Sequence, residues 1–348
     1  MGAWAFGKDG DMARITIKDI ARELGISPST VSRALREHPD ISPRTRERVR
    51  EIAERHNYQP NQIAKSLQTR RSNTIGVIVP EIQHFFFSAV ISGIEALAYD
   101  AGYAIMVCQS NETYEREVFN TRVLAAHQVA GLIASVSKET TEYGHLKNLI
   151  RQSMPLVLYD RVVDGLDVGT VVVDDFNGAY KAVSYLLDAG YKRIAHLAGP
   201  GTISIGAERM AGYRQAHEDR GLAVDESLVR TVGFHEVDGE AGAEELLRRD
   251  NPPDALFCVN DPVAVGAYMY ARRAGLSIPG DVALMGFSNN PVTAMCEPPL
   301  TTVAQPAYEI GRASARMLLD QFEAQDKGTP FTPEKKVLKT ELIIRGST

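Results

Sequence analysis

The sequence predicts an α + α/β chain, with a short helical head followed by a large body of two Rossmann-like lobes. Three observations carry this. Charge is split along the chain: residues 1–71 hold 14 Lys/Arg against 9 Asp/Glu, and the remainder holds 24 against 35, so a basic head precedes an acidic body within a net charge of −6. The head places apolar residues at helical spacing behind Ser-Pro helix starts. From Thr74 onward short apolar runs alternate with helical patterns, the βαβ rhythm of parallel sheets covered on both faces. At 348 residues, 44% of them apolar, the chain has room for two or three domains.

Residues 1–13 show no hydrophobic periodicity and are expected to form a disordered leader, within which Met12 is an alternative start. No apolar run reaches the roughly 18 residues of a membrane span, and no secretory signal is visible, so a cytoplasmic protein with no membrane partner is expected. Cys108, Cys258 and Cys296 lie far apart and suggest neither a disulfide framework nor a metal pair. Gly199-Pro200-Gly201, with Gly206 beyond it, lacks the Lys-Ser/Thr ending of a phosphate loop; no Gly-x-Ser-x-Gly or His-Glu-x-x-His is present. A catalytic site, a cofactor and a metal are therefore not expected.

Residues 14–60 build the head. Thr16-Ile17-Lys18-Asp19 reads as a helix start, a Thr cap with an acid three residues on, and Ile17, Ile20, Ala21 and Leu24 then share one face. Gly25 stops that helix, and Ser27-Pro28 opens the next, whose inner side is Val31, Ala34 and Leu35. Two short helices joined by a Gly-containing turn make a helix-turn-helix. Ser42-Pro43 repeats the start for a third helix that turns Val49, Ile52 and Ala53 inward. Left outside on the second helix are Pro28, Ser29, Thr30, Ser32 and Arg33. Short side chains allow close approach to a major groove, and a guanidinium can bond a guanine edge bidentately. Arg44, Arg46, Arg48 and Arg50 flank the third helix as possible phosphate contacts; a merely solvated helical hairpin is the alternative. One helix-turn-helix reads a half-site, so a homodimer on pseudopalindromic double-stranded DNA is expected.

Residues 61–72 form a helix-capable linker. Asn61 can cap Gln62 to Gln68 after the break at Pro60, but Ile63, Ala64 and Leu67 are too few apolar anchors to hold a helix alone. Such a segment folds on binding.

The run TIKDIARELGISPSTVSRALREHPDISPRTRERVREIAERHNYQPNQIAKSLQTRRSNTIGVIVP resembles the start of the LacI/GalR family of bacterial repressors. The resemblance implies a sequence-specific transcription regulator whose operator affinity is set by a small molecule, a sugar or sugar acid. It places Pro28, Ser29 and Arg33 at base-reading positions and Thr16, Thr30 and Ser32 near phosphates. It makes residues 62–68 a hinge helix in the minor groove, with Asn61, Ala64 and Leu67 among its contacts and Leu67 as the wedge that opens a base step.

Residues 73–348 would form the effector-binding and dimerisation domain, of the periplasmic-binding-protein type by the same resemblance. TIGVIV, AIMVC, GLIA, PLVLY, VGTVVV, RIAHLA, ALFCV and VALMG read as strands. The first lobe is expected over residues 73–160 and the second over 161–289. A return near Pro298 to Thr302, a long helix from Pro306 to Glu323 and a last strand in LKTELIIRG would follow. Ligands of open α/β sheets bind beyond the carboxyl ends of strands. There, Asp160-Arg161 can read sugar hydroxyls or an anion, or form a structural ion pair. By the resemblance Asp160, Arg209 and Asp261 are ligand contacts, although Arg209 can also be an ordinary helical arginine and Asp261 a helix cap. Phe86 and Phe87 would stack on a sugar face or simply pack in the core, and Ser135 and Phe234 complete the set. The family carries Asn-Pro before its aromatic pair, where this chain has His84-Phe85. It often has aromatic-Asp-Asp after the VALMG strand, where this chain has Phe287-Ser288-Asn289-Asn290. Lost acid plus two arginines would suit an acidic sugar, and neutral sugars fit equally. A sugar-modifying enzyme and a transport-binding protein are the competing readings; neither explains the head.

Overall fold

The computed structural model describes residues 15–35, 37–56, 58 and 72–348. The leader and the linker positions Asn61, Ala64 and Leu67 lie outside the described residues. The chain divides into two compact units, residues 1–72 and 73–348.

The first unit contains α1 (Ile17–Leu24), α2 (Pro28–Leu35) and α3 (Pro43–Arg55). The Asp19 carboxylate accepts from the Thr16 amide at 3.0 Å and the Thr16 hydroxyl at 2.6 Å, which closes the first turn of α1. Gly25 ends α1 at φ 67°, a left-handed conformation that a side chain would strain. Ser27 Oγ accepts from the Thr30 amide at 3.1 Å, and Ser42 Oγ from the Thr45 amide at 3.2 Å, so both Ser-Pro starts are capped. Ile20, Val31 and Val49, one from each helix, are fully buried and meet in a single core. Burial of each such side chain stabilises the unit by about 1.5–3 kcal/mol.

The second unit holds two six-stranded sheets. The first runs β11 (Lys335–Leu338), β5 (Gly169–Val173), β4 (Leu156–Tyr159), β3 (Gly131–Ala134), β1 (Thr74–Val79), β2 (Ala104–Gln109), all parallel. The second runs β12 (Glu341–Ile343), β10 (Thr301–Ala304), β9 (Ala283–Ser288), β8 (Ala255–Cys258), β6 (Ile194–Ala198), β7 (Val229–Thr231), parallel except for the antiparallel β10–β12 pair. The helices are α4 (Phe85–Asp100), α5 (Tyr114–Ala126), α6 (Gly144–Arg151), α7 (Asp175–Asp188), α8 (Ser204–Glu218), α9 (Glu236–Leu247), α10 (Asp261–Arg273) and α11 (Ala307–Lys327). Alternate strand residues serve opposite cores. Val77, Ile133 and Tyr159 pack with α4 and α11, and Ile78, Leu132 and Leu158 with α5 and α6. Likewise Leu197, Leu256 and Leu284 face α9 and α10, while Phe257 and Met285 face α7 and α8. Strands buried on both faces read as continuous apolar runs, which is why they are visible in the sequence.

Three expectations about chain routing are corrected. The first lobe does not end at Asp160: β5 pairs with β4, Val157 opposite Gly169, so the chain first crosses between β5 and α7. The return does not occupy residues 298–302, because Thr301–Ala304 is a strand of the second sheet, and the crossing falls between β10 and α11. LKTELIIRG is not one strand. Its start completes β11 beside β5 and its middle forms β12 beside β10, with a third crossing at Lys339-Thr340. Local pattern identifies a strand, but the partner is chosen by tertiary packing.

Candidate functional site

A cleft open to solvent lies between the lobes at the carboxyl ends of several strands. His84, Phe86, Phe87, Asp160 and Arg161 line it from the first lobe. Ile205, Arg209, Phe234, Asn260, Pro262, Ser288 and Asn290 line it from the second, and Gln305 lies on the return crossing.

Asp160 follows β4 at φ 58°. Its amide bonds the Val171 carbonyl, which carries the turn out of the strand. The carboxylate has no hydrogen bond among the described residues, and its neighbour Arg161 Nε stands 3.9 Å away, beyond bonding range. Burial pushes this carboxyl up to about 6, although Arg161 opposes the shift. A buried carboxylate without donors is costly unless something supplies them.

Arg161 is both a structural ion pair and part of the cleft wall. Its Nη1 donates to Glu112 Oε2 at 2.6 Å, its Nε has no partner, and its guanidinium lies over Phe234 at 4.7 Å and Phe87 at 5.8 Å. Glu112 is pushed up by burial, but the Arg161 guanidinium outweighs this and holds it below the usual carboxylate range. Arg209 is 2% exposed rather than an ordinary surface arginine. It grips Asp175 Oδ1 through Nε at 2.8 Å and Nη2 at 2.7 Å, donates to the Val259 carbonyl, and lies 3.7 Å over the Phe287 ring. Both arginines are thus neutralised within the protein. The carboxylate partners, Glu112 and Asp175, are residues that sequence reasoning missed, because they sit 49 and 34 positions away.

Phe86 and Phe87 meet edge to face at 5.2 Å and line the cleft while belonging to the first-lobe core, so stacking and packing hold together. Phe234 lines the opposite wall. Two expected contacts do not line the cleft. Ser135 is fully buried at the end of β3, its hydroxyl unpartnered among the described residues. Asp261 is also fully buried; its oxygens accept from Thr302 Oγ1 and the Asn290 amide, both at 2.6 Å, and the α10 cap is Asn260 instead. Burial raises Asp261 to about 6 against those two hydrogen bonds. Of its two partners, Asn290 lines the cleft. Gln305 also lines the cleft: Nε2 donates to Ser288 Oγ at 2.8 Å and the buried Oε1 is unpartnered among the described residues. Glu81, His84 and His235 gather at the cleft edge as the cation-capable group among the described residues.

In the first unit Pro28, Ser29 and Arg33 are exposed on α2, while Thr30 and Ser32 are half-buried. Arg33 has no acidic partner among the described residues. The hydroxyls of Ser29 and Thr30 reach Ser27 at 2.7 and 2.8 Å, and that of Thr16 is spent on Asp19. Arg46 bonds the Ile41 carbonyl and Arg50 pairs with Glu37, which leaves Arg44 and Arg48 the freer cations near α3.

Residues 16–61 match bacterial regulatory proteins of the lacI family, and residues 183–348 match a periplasmic binding protein-like domain. The HTH-type transcriptional repressor CytR of Escherichia coli (strain K12) is 36% identical over 333 residues, covering 96% of this chain and 96% of that protein. The transcriptional regulator CelR in its cellobiose complex superposes with a TM-score of 0.74 at 29% identity, over 96% of this chain and all of that one. The Lac repressor dimer bound to operator and the anti-inducer ONPF has a TM-score of 0.83 over 96% of this chain and 98% of its own; at 24% identity that likeness speaks for the fold. No described helix is long and apolar enough to cross a membrane. The chain belongs to the lacI family of bacterial regulatory proteins, whose members are DNA-binding transcriptional regulators and not enzymes.

Proposed function

We propose that this chain is a homodimeric repressor whose affinity for a pseudopalindromic operator is controlled by a neutral sugar held between the lobes of residues 73–348. The observation that carries the choice of ligand is the Asp160 carboxylate, buried in the cleft without a hydrogen-bond donor. Sugar hydroxyls are such donors, and hydrogen bonds to a charged acceptor contribute about 1.5–3 kcal/mol each. Phe86, Phe87 and Phe234 supply flat apolar surface for the C–H face of a ring.

Charge decides against a sugar acid. Arg161 and Arg209 are each matched by a buried carboxylate, Glu112 and Asp175, so the ionised Asp160 leaves the cleft with an excess negative charge. An anionic ligand would meet repulsion there. The cellobiose in the CelR complex is a neutral sugar, which accords with this reading. In the head, exposed Pro28, Ser29 and Arg33 would read bases, with Thr16, Thr30 and Ser32 beside the phosphates and Asn61, Ala64 and Leu67 in the minor groove.

A thermal-shift screen of the full chain against neutral sugars, uronic acids and sugar phosphates tests the ligand class. A ligand of the folded state raises the unfolding temperature in proportion to RT ln(1 + [L]/Kd). A hit among neutral sugars that also alters operator binding is expected. Hits confined to uronic acids or phosphates would overturn the choice of a neutral ligand.

A further inference from the structure

Three donor groups, two of them three residues apart and the third from the other lobe, converge where the lobes face one another. Glu81 follows β1 and His84 precedes α4, both in the first lobe; His235 precedes α9 in the second. One donor atom from each lies within 4.8 Å of the other two. Glu81 Oε1 is 3.4 Å from His235 Nε2, and Glu81 Oε2 is 3.9 Å from His84 Nε2. These are loose separations for hydrogen bonds. Two rings and a carboxylate thus face a shared space, while the His235 side chain also takes part in the capping box that opens α9.

We propose that Glu81, His84 and His235 bind a divalent transition-metal ion of the zinc class, and that the ion ties the two lobes together at the cleft edge. Two imidazoles and one carboxylate are a recurrent three-ligand set for zinc, with a fourth position left to water. Bonds of about 2.0–2.2 Å require the donors to stand roughly 3.3 Å apart. Small side-chain rotations therefore complete the site, since Glu81 and His235 are already near that spacing. Metal ligation takes the neutral imidazole. The nearest guanidinium, Arg161, is held by Glu112 and does not leave an uncompensated cation beside the site. Imidazole nitrogen excludes magnesium and calcium, which take oxygen ligands. Because the ligands come from both lobes, the ion favours one lobe arrangement over others. That differential affinity would make it a second effector, coupled to the first by linkage.

The inference is independent of the sugar reading and is tested without sugar. The full chain, stripped with chelator, is titrated with ZnCl2 and with MgCl2 by calorimetry, and its thermal unfolding is recorded in each. The same is done for His235→Gln and Glu81→Gln, with circular dichroism in chelator as the control for folding. Wild type is expected to bind one zinc ion per chain, at least about 10-fold tighter than either variant, and to unfold at higher temperature with zinc but not magnesium. Zinc affinity unchanged in both folded variants would assign binding to surface pairs such as His38–Asp40 or His56–Glu23 and overturn the proposal. Should a variant not fold, Co²⁺ bound to wild type replaces it: a visible spectrum without the bands of nitrogen-ligated, low-coordinate cobalt overturns the site. A failed sugar screen with zinc binding intact removes the sugar reading alone, and the converse result removes only the metal.

Discussion

At the scale of single residues, the informative groups are those whose partners are missing. Arg33 is exposed on α2 with no acidic partner among the described residues, so no described residue of the head competes with a base for its guanidinium. Arg33→Ala should cost about 1–3 kcal/mol on the specific operator and far less on random DNA, measured by fluorescence anisotropy. Equal losses on both would make Arg33 a phosphate contact. Asp160 yields a prediction with two opposite signs. Its folded-state carboxyl is raised from 3.8 to about 6, so ionisation penalises the folded protein: the cost is absent at low pH and grows as pH rises from about 4 through about 6. Asp160→Asn should therefore be more stable than wild type at pH 7.5, by up to about 3 kcal/mol, and should lose that advantage below pH about 4. Sugar binding should run the other way, strengthening through pH 6 in wild type and falling about 10- to 150-fold in the variant at neutral pH. Asp261→Asn should weaken the sugar much less, because Asp261 bonds Thr302 and the Asn290 amide rather than facing the cleft. If Asp261→Asn proved the more damaging, the roles of the two aspartates would be reversed.

At the scale of elements, the lobes depend on helices that pack backbone to backbone. α4 and α11 are more than 200 residues apart in sequence yet lie side by side. A Cβ on Gly93 would sit 2.0 Å from the Tyr308 carbonyl oxygen, and one on Gly311 would sit 2.1 Å from that of Val90. In an exposed helix, Gly→Ala stabilises by roughly 0.5–1 kcal/mol through backbone entropy. Here the sign should reverse, because backbone cannot step aside as a flexible side chain can. Gly311→Ala is expected to destabilise by about 1–3 kcal/mol in urea unfolding. A neutral or stabilising result would mean that the two helices separate without penalty.

At the scale of the whole molecule, a basic head precedes a body that carries the net negative charge. Operator binding should weaken steeply with salt, because lysines and arginines of two heads displace counterions from several phosphates. A slope of log K against log salt shallower than about −3 would count against a dimer with many backbone contacts. Sugar and operator should also influence each other by the same factor, since linkage is reciprocal. The check is to measure sugar affinity with and without operator, and operator affinity with and without sugar. No change in either direction would remove small-molecule control from this chain.

The sequence by itself determined what depends on near neighbours. Helix caps at Thr16, Ser27 and Ser42, the inward faces around Ile20, Val31 and Val49, and the apolar runs that became β1, β3 and β8 are set by residues a few positions apart. Phe87, Asp160, Arg161 and Arg209 were legible as cleft residues because strand ends and the family's motifs mark them. The short strands β7, β10 and β11 were not, since Val-Arg-Thr, Thr-Thr-Val-Ala and Lys-Lys-Val-Leu lack the apolar run that marks β3 and β8. Only the tertiary structure decided which sheet β5 and β12 would join. It also decided that Arg161 and Arg209 would find Glu112 and Asp175, that Asp261 would be occupied while Asp160 stayed vacant, and that Glu81 and His84 would meet His235. Most of these are contacts between residues tens of positions apart, and two of them, β12 with β10 and His235 with Glu81 and His84, also span a chain crossing. Such contacts depend on how whole elements pack, and no local spacing encodes that.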